Sequence, residues 1–423
     1  MPVLGELGAT EARTGHGIVA LDMGQDAGLV KEITQAVKEV VDIPIVPKLT
    51  PNVPNIGEIA LAAVEGGADA LCAVNTTGPA YYTSHGEPVL TNKIGGMSGR
   101  GVLPIALKCI KEISEVVDVP IIGCGGVATL DNVKAIQDVG ASVFGVGSAL
   151  TGMNSLEVGL YFKDLQSAFE KDRSQSEKLI SVDMDFESYT LASNEKVCED
   201  ISILTFDRKV SVEAGEFVYT WLPGVGEKPF SALTNDPFSL VVIDVGFFTH
   251  ELLKLKPGSK VYVRGPHGEK VCPPNDSKIV AVAGGTGLAA VYQIARDFGN
   301  AEVFLGARSS DRLYYKDECA AIANTHIATD DGSEGFNGVV TELLDDWLKG
   351  KSEEELLDLV FYNCGPSSMV HAAIEVQRNY VNDEQILSAI DYLTKCGVGI
   401  CGACHSPDGR RLCVDGPFLS ASL

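Results

Sequence analysis

A run of four cysteines among glycines limits most strongly what this chain can fold into. The segment 381–423 is short and rich in glycine, and it cannot build an apolar core without a staple. Its cysteines, spaced C-x4-C-x2-C-x8-C, are Cys396, Cys401, Cys404 and Cys413. This is the plant-type spacing for a [2Fe–2S] cluster, in which four thiolates converge on two irons. The sequence therefore predicts an iron–sulfur cluster as the staple.

Zinc is the main alternative at these cysteines, followed by free thiols. Zinc loops favour paired C-x2-C units, which a four-residue gap fits poorly. Gly397, Gly399 and Gly402 allow a tight loop whose backbone N–H groups approach the sulfurs. Four cysteines suffice for the cluster, so we predict that His405 is a surface residue.

The composition restricts the classes of partner. Against 33 lysines and arginines the chain carries 57 aspartates and glutamates, a formal net charge of -24. That charge repels nucleic-acid phosphates and anionic lipid, so we predict neither a nucleic-acid nor a membrane partner. No apolar run approaches the roughly 18 residues of a membrane span, and the first residues lack a signal-peptide pattern. We therefore expect a cytoplasmic protein whose other cysteines are mostly buried thiols. Those cysteines are Cys72, Cys109, Cys124, Cys198, Cys272, Cys319 and Cys364.

The first part of the chain alternates short β-branched runs with segments of helical period. Such alternation is typical of βα units and a parallel sheet. The predicted strands are 44–49, 70–75, 119–123 and 142–147, and the predicted helices are 56–65, 104–116, 130–139 and 156–169. Because a closed βα barrel has eight strands, these roughly four units predict half of a TIM-type barrel over residues 1–172.

The rest of the chain predicts three smaller domains after a polar linker at 173–186. Residues 187–275 contain short strands between turns, which predicts an antiparallel β-barrel. The predicted strands there are 201–206, 216–222, 240–245 and 260–264. Residues 276–380 return to strand, glycine turn and helix, which predicts a Rossmann-like domain. Residues 381–423 form the cysteine-rich domain. The fold class is therefore a multidomain α/β protein.

A glycine run at 283–287 lies between a predicted strand and a predicted helix. Free N–H groups and the helix dipole favour a phosphate at such a turn, although a glycine turn is often only structural. Here it belongs to an ordered series of motifs. The others are KPFSAL at 228–233, GFFT at 246–249, GPHG at 265–268, TDDGS at 329–333 and CGP at 364–366.

In kind and order these motifs resemble the electron-transfer subunit of NAD-linked dihydroorotate dehydrogenase, a member of the ferredoxin reductase superfamily, over residues 186–423. The resemblance implies FAD contacts at Lys228, Pro229, Phe230, Ser231, Gly246 and Thr249. It implies NAD contacts at Gly284, Gly285, Gly287, Cys364 and Gly365. The family has arginine where this chain has Lys228, and lysine keeps the charge but lacks the planar fork for a pyrophosphate. NAD is favoured over NADP, although Arg308, Ser309 and Arg312 offer a place for a 2′-phosphate.

Five motifs in the first part lie at or just beyond the carboxyl ends of predicted strands. They are PKLTPN at 47–52, VNTTG at 74–78, GGMSG at 95–99, GCGGV at 123–127 and GVGSA at 145–149. That end of a βα barrel is its catalytic face, and glycine turns after the last two strands hold phosphates there. The alternative is that the turns serve only helix–sheet packing.

These residues resemble the C-terminal half of the dihydroorotate dehydrogenase barrel, which binds FMN. The resemblance implies that Lys48 offsets negative charge on the flavin, and that Asn75 and Thr76 hydrogen-bond the pyrimidine substrate. Gly96 and Ser98 would pack on the cofactor. The backbone N–H groups that would hold its phosphate belong to Gly125, Gly126, Gly147 and Ser148.

The family's general base, a cysteine in the NAD-linked enzymes, belongs to the missing first half of the barrel. No cysteine precedes Cys72, so we expect the base to be absent from this chain. Loss of a general base lowers a rate by about a hundredfold to ten-thousandfold. Half a barrel also leaves strand edges that invite another chain. We therefore expect a homo-oligomer, or association with a dehydrogenase chain that completes the barrel.

The resemblance implies an oxidoreductase of pyrimidine biosynthesis. Dihydroorotate would be oxidised to orotate through FMN, and the electrons would pass through the [2Fe–2S] cluster and FAD to NAD. Two alternatives stay open. One is an NAD(P)H-dependent reductase whose barrel fragment is inactive, and the other is an electron-transfer subunit whose fragment docks on a full dehydrogenase.

Overall fold

The structure, a computed structural model, describes residues 23–171, 182–274, 277–390 and 393–421. It divides into two compact units. The first contains the described residues of 23–83, 92–151 and 156–171, and the second contains 84–91, 152–155 and the described residues from 182 onward. Most of the predicted linker 173–186 lies outside the described residues. The predicted domain boundaries remain predictions.

Up to Lys171 the chain alternates strands and helices. The strands are β1 (Lys48–Leu49), β2 (Leu71–Ala73), β3 (Thr77–Tyr81), β4 (Thr83–Ser84), β5 (Glu87–Pro88), β6 (Ile94–Met97), β7 (Ile121–Cys124) and β8 (Val143–Gly145). The helices are α1 (Ala27–Lys38), α2 (Ile56–Glu65), α3 (Leu103–Ser114), α4 (Leu130–Asp138) and α5 (Ser155–Lys171). Strands β1, β2, β7 and β8 form one parallel sheet in that order, and β3 pairs with β6 as an antiparallel ribbon.

Capping side chains and a proline mark the starts of these helices. The Asn55 side chain accepts a hydrogen bond from the Glu58 N–H at the start of α2. Asn132 accepts one from the Thr129 N–H at the start of α4, and proline occupies the first turn of α3. Their apolar faces cover the sheet in one core, which includes Ile59, Leu71, Ile110, Ile121, Val133 and Ile136. The partial βα barrel is confirmed, and among the described residues β1 and β8 each pair on one side only.

The second unit opens with an antiparallel sheet. Its strands are β9 (Glu187–Lys196), β10 (Ile201–Phe206), β11 (Phe217–Leu222), β12 (Gly226–Phe230), β13 (Ala232–Asn235), β14 (Phe238–Ile243) and β15 (Lys260–His267), with helix α6 (Phe247–Leu253). They are ordered β12–β11–β15–β9–β10–β14–β13. Stacked rings of Phe206 and Phe238, 5.0 Å apart, lie in its core. Strands β9, β12 and β13 were not predicted. In β12 the strand pattern is interrupted by Pro229, which is tolerated there because β12 is an edge strand.

The nucleotide-binding sheet follows. Its strands are β16 (Lys278–Gly284), β17 (Glu302–Ala307), β18 (Asn324–Thr329), β19 (Phe336–Asn337), β20 (Leu359–Cys364), β21 (Ile386–Ala389) and β22 (Phe418–Ser420). Its helices are α7 (Leu288–Phe298), α8 (Lys316–Ile322), α9 (Val340–Lys349), α10 (Glu353–Leu357) and α11 (Ser367–Gln377). The order is β19–β18–β17–β16–β20–β21–β22, parallel except for β22. The chain runs outward from β16 to β19 and then returns to β20 on the other side of β16. The strand order therefore reverses between β16 and β20, where open α/β sheets bind ligands.

The cysteine-rich segment has little regular structure. It contributes helix α12 (Leu412–Asp415) and strand β22, which pairs with β21. Its small core includes Phe217 and Tyr219 of β11, so the segment borrows apolar surface from the neighbouring sheet.

The structure also tests the predictions about buried cysteines and membrane spans. Cys109, Cys198 and Cys319 are buried thiols, as predicted, but Cys272 is exposed, so the prediction was wrong for that residue. None of the helices in the described ranges is both long and apolar enough to cross a membrane.

Candidate functional site

The four predicted cluster cysteines lie together on one segment. The Sγ atoms of Cys404 and Cys413 are 3.5 Å apart, near the roughly 3.8 Å between two sulfurs that share a tetrahedral metal at about 2.3 Å. The Val398 N–H donates to Cys396 Sγ at 3.4 Å. The Gly399 N–H donates to Cys413 Sγ at 3.2 Å. Such bonds favour the ionised sulfur, so the residues present fit a cluster bound by cysteine.

Hydrogen bonds among the four thiols shift their pKa values in opposite directions. Bonds from Cys401 and Cys413 hold the pKa of Cys396 well below its usual range. A bond from Cys413 lowers the pKa of Cys404 to about 6. Within the described ranges, no three His, Cys, Asp or Glu side chains are arranged around a single metal ion. The same hydrogen bonds raise the pKa values of Cys401 and Cys413 well above their usual range, so the four thiols share protons that metal binding would displace.

Glycines let the cysteine loop approach the antiparallel sheet. Gly397 has φ 78°, and a Cβ there would lie 2.7 Å from Cε2 of Tyr219 and 3.0 Å from Nη1 of Arg264. The Gly399 carbonyl accepts a 2.6 Å hydrogen bond from Nη1 of Arg411. A side chain at Gly397 would separate the loop from the sheet, which explains the glycine physically. His405 is exposed, as predicted.

A buried charged layer lies under the loop. The Arg264 guanidinium donates to both carboxylate oxygens of Glu227, at 3.0 and 3.2 Å, and its Nη1 lies 2.9 Å from Nε2 of His267. Burial, followed by the Arg264 charge, lowers the pKa of His267 to about 4. Since arginine only donates, neutral His267 accepts this bond. The guanidinium also lies 4.0 Å from the ring centroid of Tyr219. Sequence reasoning missed this layer, although His267 belongs to the GPHG motif.

The predicted NAD residues meet at the point where the strand order reverses. A Cβ at Gly287 would lie 2.1 Å from the Cys364 carbonyl oxygen, and one at Gly365 would lie 2.9 Å from the Gly284 oxygen. The two turns therefore pack backbone against backbone. Gly285 differs, because it has φ 54° and a Cβ there would meet nothing within 4 Å. The glycines thus have separate roles: Gly287 and Gly365 allow close packing of the two turns, and Gly285 faces open space.

Tyr314 supports the same turn and was not predicted. Its buried hydroxyl donates to the Gly285 carbonyl at 2.8 Å. No short motif signals this residue, because the contact joins the turn to a separate stretch of chain.

The three residues considered for a 2′-phosphate have different surroundings. Arg312 forms a 2.9 Å ion pair with Asp200, and the Ser309 hydroxyl bonds to Asp311. Arg308 is exposed. Two of the three polar groups are therefore engaged within the protein, which agrees with the predicted preference for NAD.

The predicted FAD residues lie on an edge strand and a helix start. In β12, Lys228 is exposed and pairs with Thr220 of β11. Phe230 packs near Phe248, with ring centroids 6.3 Å apart. The Thr249 hydroxyl accepts hydrogen bonds from the backbone N–H groups at the start of α6, so it shapes this turn. Pro229, Ser231 and Gly246 are partly or fully exposed along the same path. These FAD contacts stay predictions.

The predicted FMN and substrate residues gather at one edge of the parallel sheet. Lys48 lies in β1, and the others follow β2, β7 and β8 directly. Those others are Asn75, Thr76, Gly125, Gly126, Gly147 and Ser148. Gly125 and Gly126 have φ 112° and 80°, and a Cβ at Gly147 would meet nothing within 4 Å. The carboxyl ends of parallel strands meet at this edge, so the arrangement fits a phosphate-bearing ligand. The individual contacts remain predictions.

The last residue of the PKLTPN motif, to which the sequence analysis gave no separate role, organises this edge. Asn52 donates to the Thr76 carbonyl at 3.1 Å and accepts from the Gly78 N–H at 2.8 Å. A Cβ at Gly96 would lie 2.0 Å from the Thr76 hydroxyl, so Gly96 packs on the predicted substrate loop. Ser98, beyond it, is exposed.

A pair of thiols lies beneath Lys48. The Sγ atoms of Cys72 and Cys124 are 3.5 Å apart. The bond from Cys124, with a smaller contribution from Lys48, lowers the pKa of Cys72 to about 7 despite burial. Both residues are half-buried, so the prediction that they are buried was wrong.

Comparisons with protein families match three parts of the chain. Residues 18–159 match the family described as dihydroorotate dehydrogenase. Residues 281–375 match the oxidoreductase NAD-binding domain, and residues 393–423 match the iron–sulfur cluster binding domain of dihydroorotate dehydrogenase B. These matches confirm the predicted oxidoreductase with iron–sulfur and NAD-binding parts, and the first supports FMN.

Individual relatives are similar to the same parts of the chain. The probable dihydroorotate dehydrogenase B (NAD(+)) electron transfer subunit of Methanocaldococcus jannaschii is 37% identical over 228 residues, which are 52% of this chain and 85% of that protein. The dihydroorotate dehydrogenase B (NAD(+)) catalytic subunit of Methanocella arvoryzae is 45% identical over 131 residues, 31% of this chain but only 44% of that protein.

A solved structure supports the fold of the second unit. An NADH-dependent reduced ferredoxin-NADP oxidoreductase is similar with a TM-score of 0.50 and 28% identity, over 55% of this chain and 87% of that chain. The ferredoxin reductase fold supports FAD as the second flavin. This chain therefore belongs to the family of dihydroorotate dehydrogenase B electron transfer subunits, and it carries a dihydroorotate dehydrogenase segment in addition.

Proposed function

We propose that this protein couples the oxidation of dihydroorotate to orotate with the reduction of NAD, as an oxidoreductase of pyrimidine biosynthesis. The observation that carries the proposal is the packing of the cysteine loop on β11 and β15, in the unit that also contains the nucleotide switch point. When bound, flavins exchange hydride with substrate and NAD, and an iron–sulfur cluster carries single electrons. This chain places their predicted sites on one polypeptide.

The first unit would supply one side of the pyrimidine and FMN site. Lys48 places a cation at the edge of the sheet, where it would offset negative charge on a flavin. Asn75 and Thr76 are exposed there for hydrogen bonds to the substrate. The turns after β7 and β8 would present backbone N–H groups to a phosphate.

The second unit would hold the remaining cofactors. Lys228 on the exposed edge strand would meet the FAD pyrophosphate as a point charge. Gly285 leaves open space beside the reversal of strand order, where an NAD pyrophosphate would approach the start of α7. The cysteine segment would hold the cluster through Cys396, Cys401, Cys404 and Cys413.

We further propose that another chain completes the parallel sheet. Strands β1 and β8 present unpaired edges within the described part of the first unit, and such edges favour pairing with further strands. Relatives bear the names of separate catalytic and electron transfer subunits, which supports association with a catalytic chain. A cytoplasmic location also belongs to this proposal, because the eleven cysteines of the described ranges form no disulfide, which suits a reducing compartment.

An anaerobic reduction experiment tests the function. The purified protein, with its iron and flavin contents measured, is mixed with NADH and, separately, with dihydroorotate, while visible absorbance is recorded. The proposal expects bleaching of the flavin and iron–sulfur bands by both reductants, and NADH formation from dihydroorotate and NAD. Cys272→Ser serves as the control variant, because Cys272 is exposed and lies outside the cluster.

A second candidate is an electron-transfer subunit whose barrel segment only docks on a full dehydrogenase. The similarity to an electron transfer subunit, over 85% of that protein, favours it. Bleaching by NADH alone, with dihydroorotate activity only after a dehydrogenase chain is added, would select this candidate. Absence of iron–sulfur absorbance in the anaerobically prepared protein would reject both.

A further inference from the structure

A buried tyrosine hydroxyl beside the cysteine loop lacks a partner in the protein. Tyr219 of β11 is 1% exposed. Among the residues that the structure describes, its hydroxyl finds no hydrogen-bond partner. Buried polar groups in proteins are nearly always paired, with protein, water or a ligand. The hydroxyl therefore requires a partner that residues 23–171, 182–274, 277–390 and 393–421 do not supply.

The surroundings of Tyr219 indicate what that partner is. The side chain packs in one apolar group with Cys404, Cys413 and Leu412, and Cys396 packs against the same group. Three of the four predicted cluster ligands therefore belong to or border the group that contains this ring. The loop also passes close to the ring at Gly397, where an added Cβ would lie 2.7 Å from Cε2 of Tyr219.

The ring is held in a fixed position. The Arg264 guanidinium lies 4.0 Å from its centroid, and the His267 ring meets it edge-on at 5.4 Å. Arg264 is itself anchored by two hydrogen bonds to Glu227. A stacked and anchored cation restricts the ring and so fixes the position of the hydroxyl oxygen.

The hydroxyl is a donor in this setting. An ordinary phenol has a pKa of about 10 and is protonated at neutral pH. The phenol therefore keeps its proton. The apolar group in which the ring packs contains the sulfur atoms of Cys404 and Cys413, with Cys396 against it. Because a cluster sulfur accepts several hydrogen bonds, an O–H···S bond would satisfy the hydroxyl.

We propose that the Tyr219 hydroxyl donates a hydrogen bond to a sulfur of the iron–sulfur cluster and thereby raises the reduction potential of that cluster. The inference rests on the proposed function, because it requires a cluster at the four cysteines. Reduction adds negative charge to the sulfurs, so a donor stabilises the reduced form more than the oxidised form. Tyr219 is a tuning residue, and Arg264 is a positioning residue that acts through it.

Two matched variants test the proposal. Tyr219→Phe removes only the hydroxyl. Tyr189→Phe makes the same change in the same sheet, where the hydroxyl has only a 3.5 Å contact with the Lys209 carbonyl. The cluster potential is measured by anaerobic redox titration with electron paramagnetic resonance of the reduced cluster. At the potential where the wild-type cluster is half reduced, we expect the ratio of reduced to oxidised cluster to fall roughly three- to tenfold in Tyr219→Phe and to stay unchanged in Tyr189→Phe.

A vibrational measurement provides an independent readout. Transfer of the wild-type protein into heavy water is expected to shift an Fe–S stretching band in the resonance Raman spectrum, and this shift is expected to shrink in Tyr219→Phe. Backbone donors at Val398 and Gly399 give a remaining shift in both proteins. Equal shifts, together with equal potentials, would overturn the proposal and assign the hydroxyl to a buried water.

A second variant decides the question if Tyr219→Phe loses its iron. Replacement of Tyr219 by 3-fluorotyrosine keeps the hydroxyl and makes it a stronger donor, so the potential is expected to rise. An unchanged potential would overturn the proposal. A wild-type protein without any iron–sulfur signal would instead reject the proposed function, so the two failures are distinguishable.

Discussion

The two glycines Gly287 and Gly285 lie two residues apart in one turn, and the structure predicts different effects on stability for the same substitution. In Gly287→Ala the new Cβ would lie 2.1 Å from the Cys364 oxygen and 2.7 Å from the Gly365 nitrogen. Both are backbone atoms, so the turns after β16 and β20 must separate by about 1 Å to restore ordinary contact. Overpacking of this kind costs about 3 kcal/mol. In Gly285→Ala nothing lies within 4 Å of the new atom, and the left-handed backbone costs about 1 kcal/mol.

The assay compares stability with nucleotide binding. Hydrogen exchange of the β16 and β20 amides reports the local stability, and titration with NADH reports affinity. We expect Gly287→Ala to lose protection at both strands and to lose NADH affinity as a consequence. Gly285→Ala is expected to keep protection but to weaken NADH binding, because the added methyl occupies the open space beside the switch point. Wild-type protection in Gly287→Ala would refute the close packing of the two turns.

Three further predictions concern other parts of the second unit. Glu302→Gln is expected to lower the free energy of unfolding by about 1–3 kcal/mol at pH 7. Burial raises the pKa of Glu302, but hydrogen bonds from lysine and histidine outweigh burial and leave the pKa below its ordinary 4.5. In urea titrations the stability advantage of the wild type should therefore be full above pH 4.5 and shrink below it. Tyr314→Phe removes the 2.8 Å bond to the Gly285 carbonyl and should weaken NADH binding about fivefold without changing the iron–sulfur spectrum; unchanged affinity would show that this bond does not shape the turn. Cys401→Ser should lose most of the iron measured by colorimetric assay, whereas Cys272→Ser should retain it, and equal iron in both would contradict the four-cysteine site.

Much of the fold could be read from the sequence because its signals are local. The glycine turn at 283–287 and the βα alternation of the first part depend on neighbouring residues, and the structure confirms the elements that they predict. Strand β12 was missed because Pro229 is a poor strand former, and only the edge position of that strand makes proline acceptable.

In the candidate site, too, residues marked by local motifs were predicted, whereas residues that act through distant contacts were missed. Residues predicted from motifs, such as Lys48 and Gly285, lie at strand ends where the chain pattern alone places them. Asn52 and Tyr314 were missed, because each acts through a hydrogen bond to a backbone group more than twenty residues away. No spacing rule connects such positions.

The sequence by itself determined the chemistry of the cysteine segment. Ligand type and spacing are properties of one short stretch, and a glycine-rich segment that cannot bury a core must be held by such ligands. Only the tertiary structure decided what surrounds them: the packing of β11 and β15 brings Tyr219 and Arg264 under Gly397. The physical reason is that covalent order fixes which sulfurs are available, whereas the polarity and hydrogen bonds around those sulfurs come from residues that only folding brings within a few ångströms.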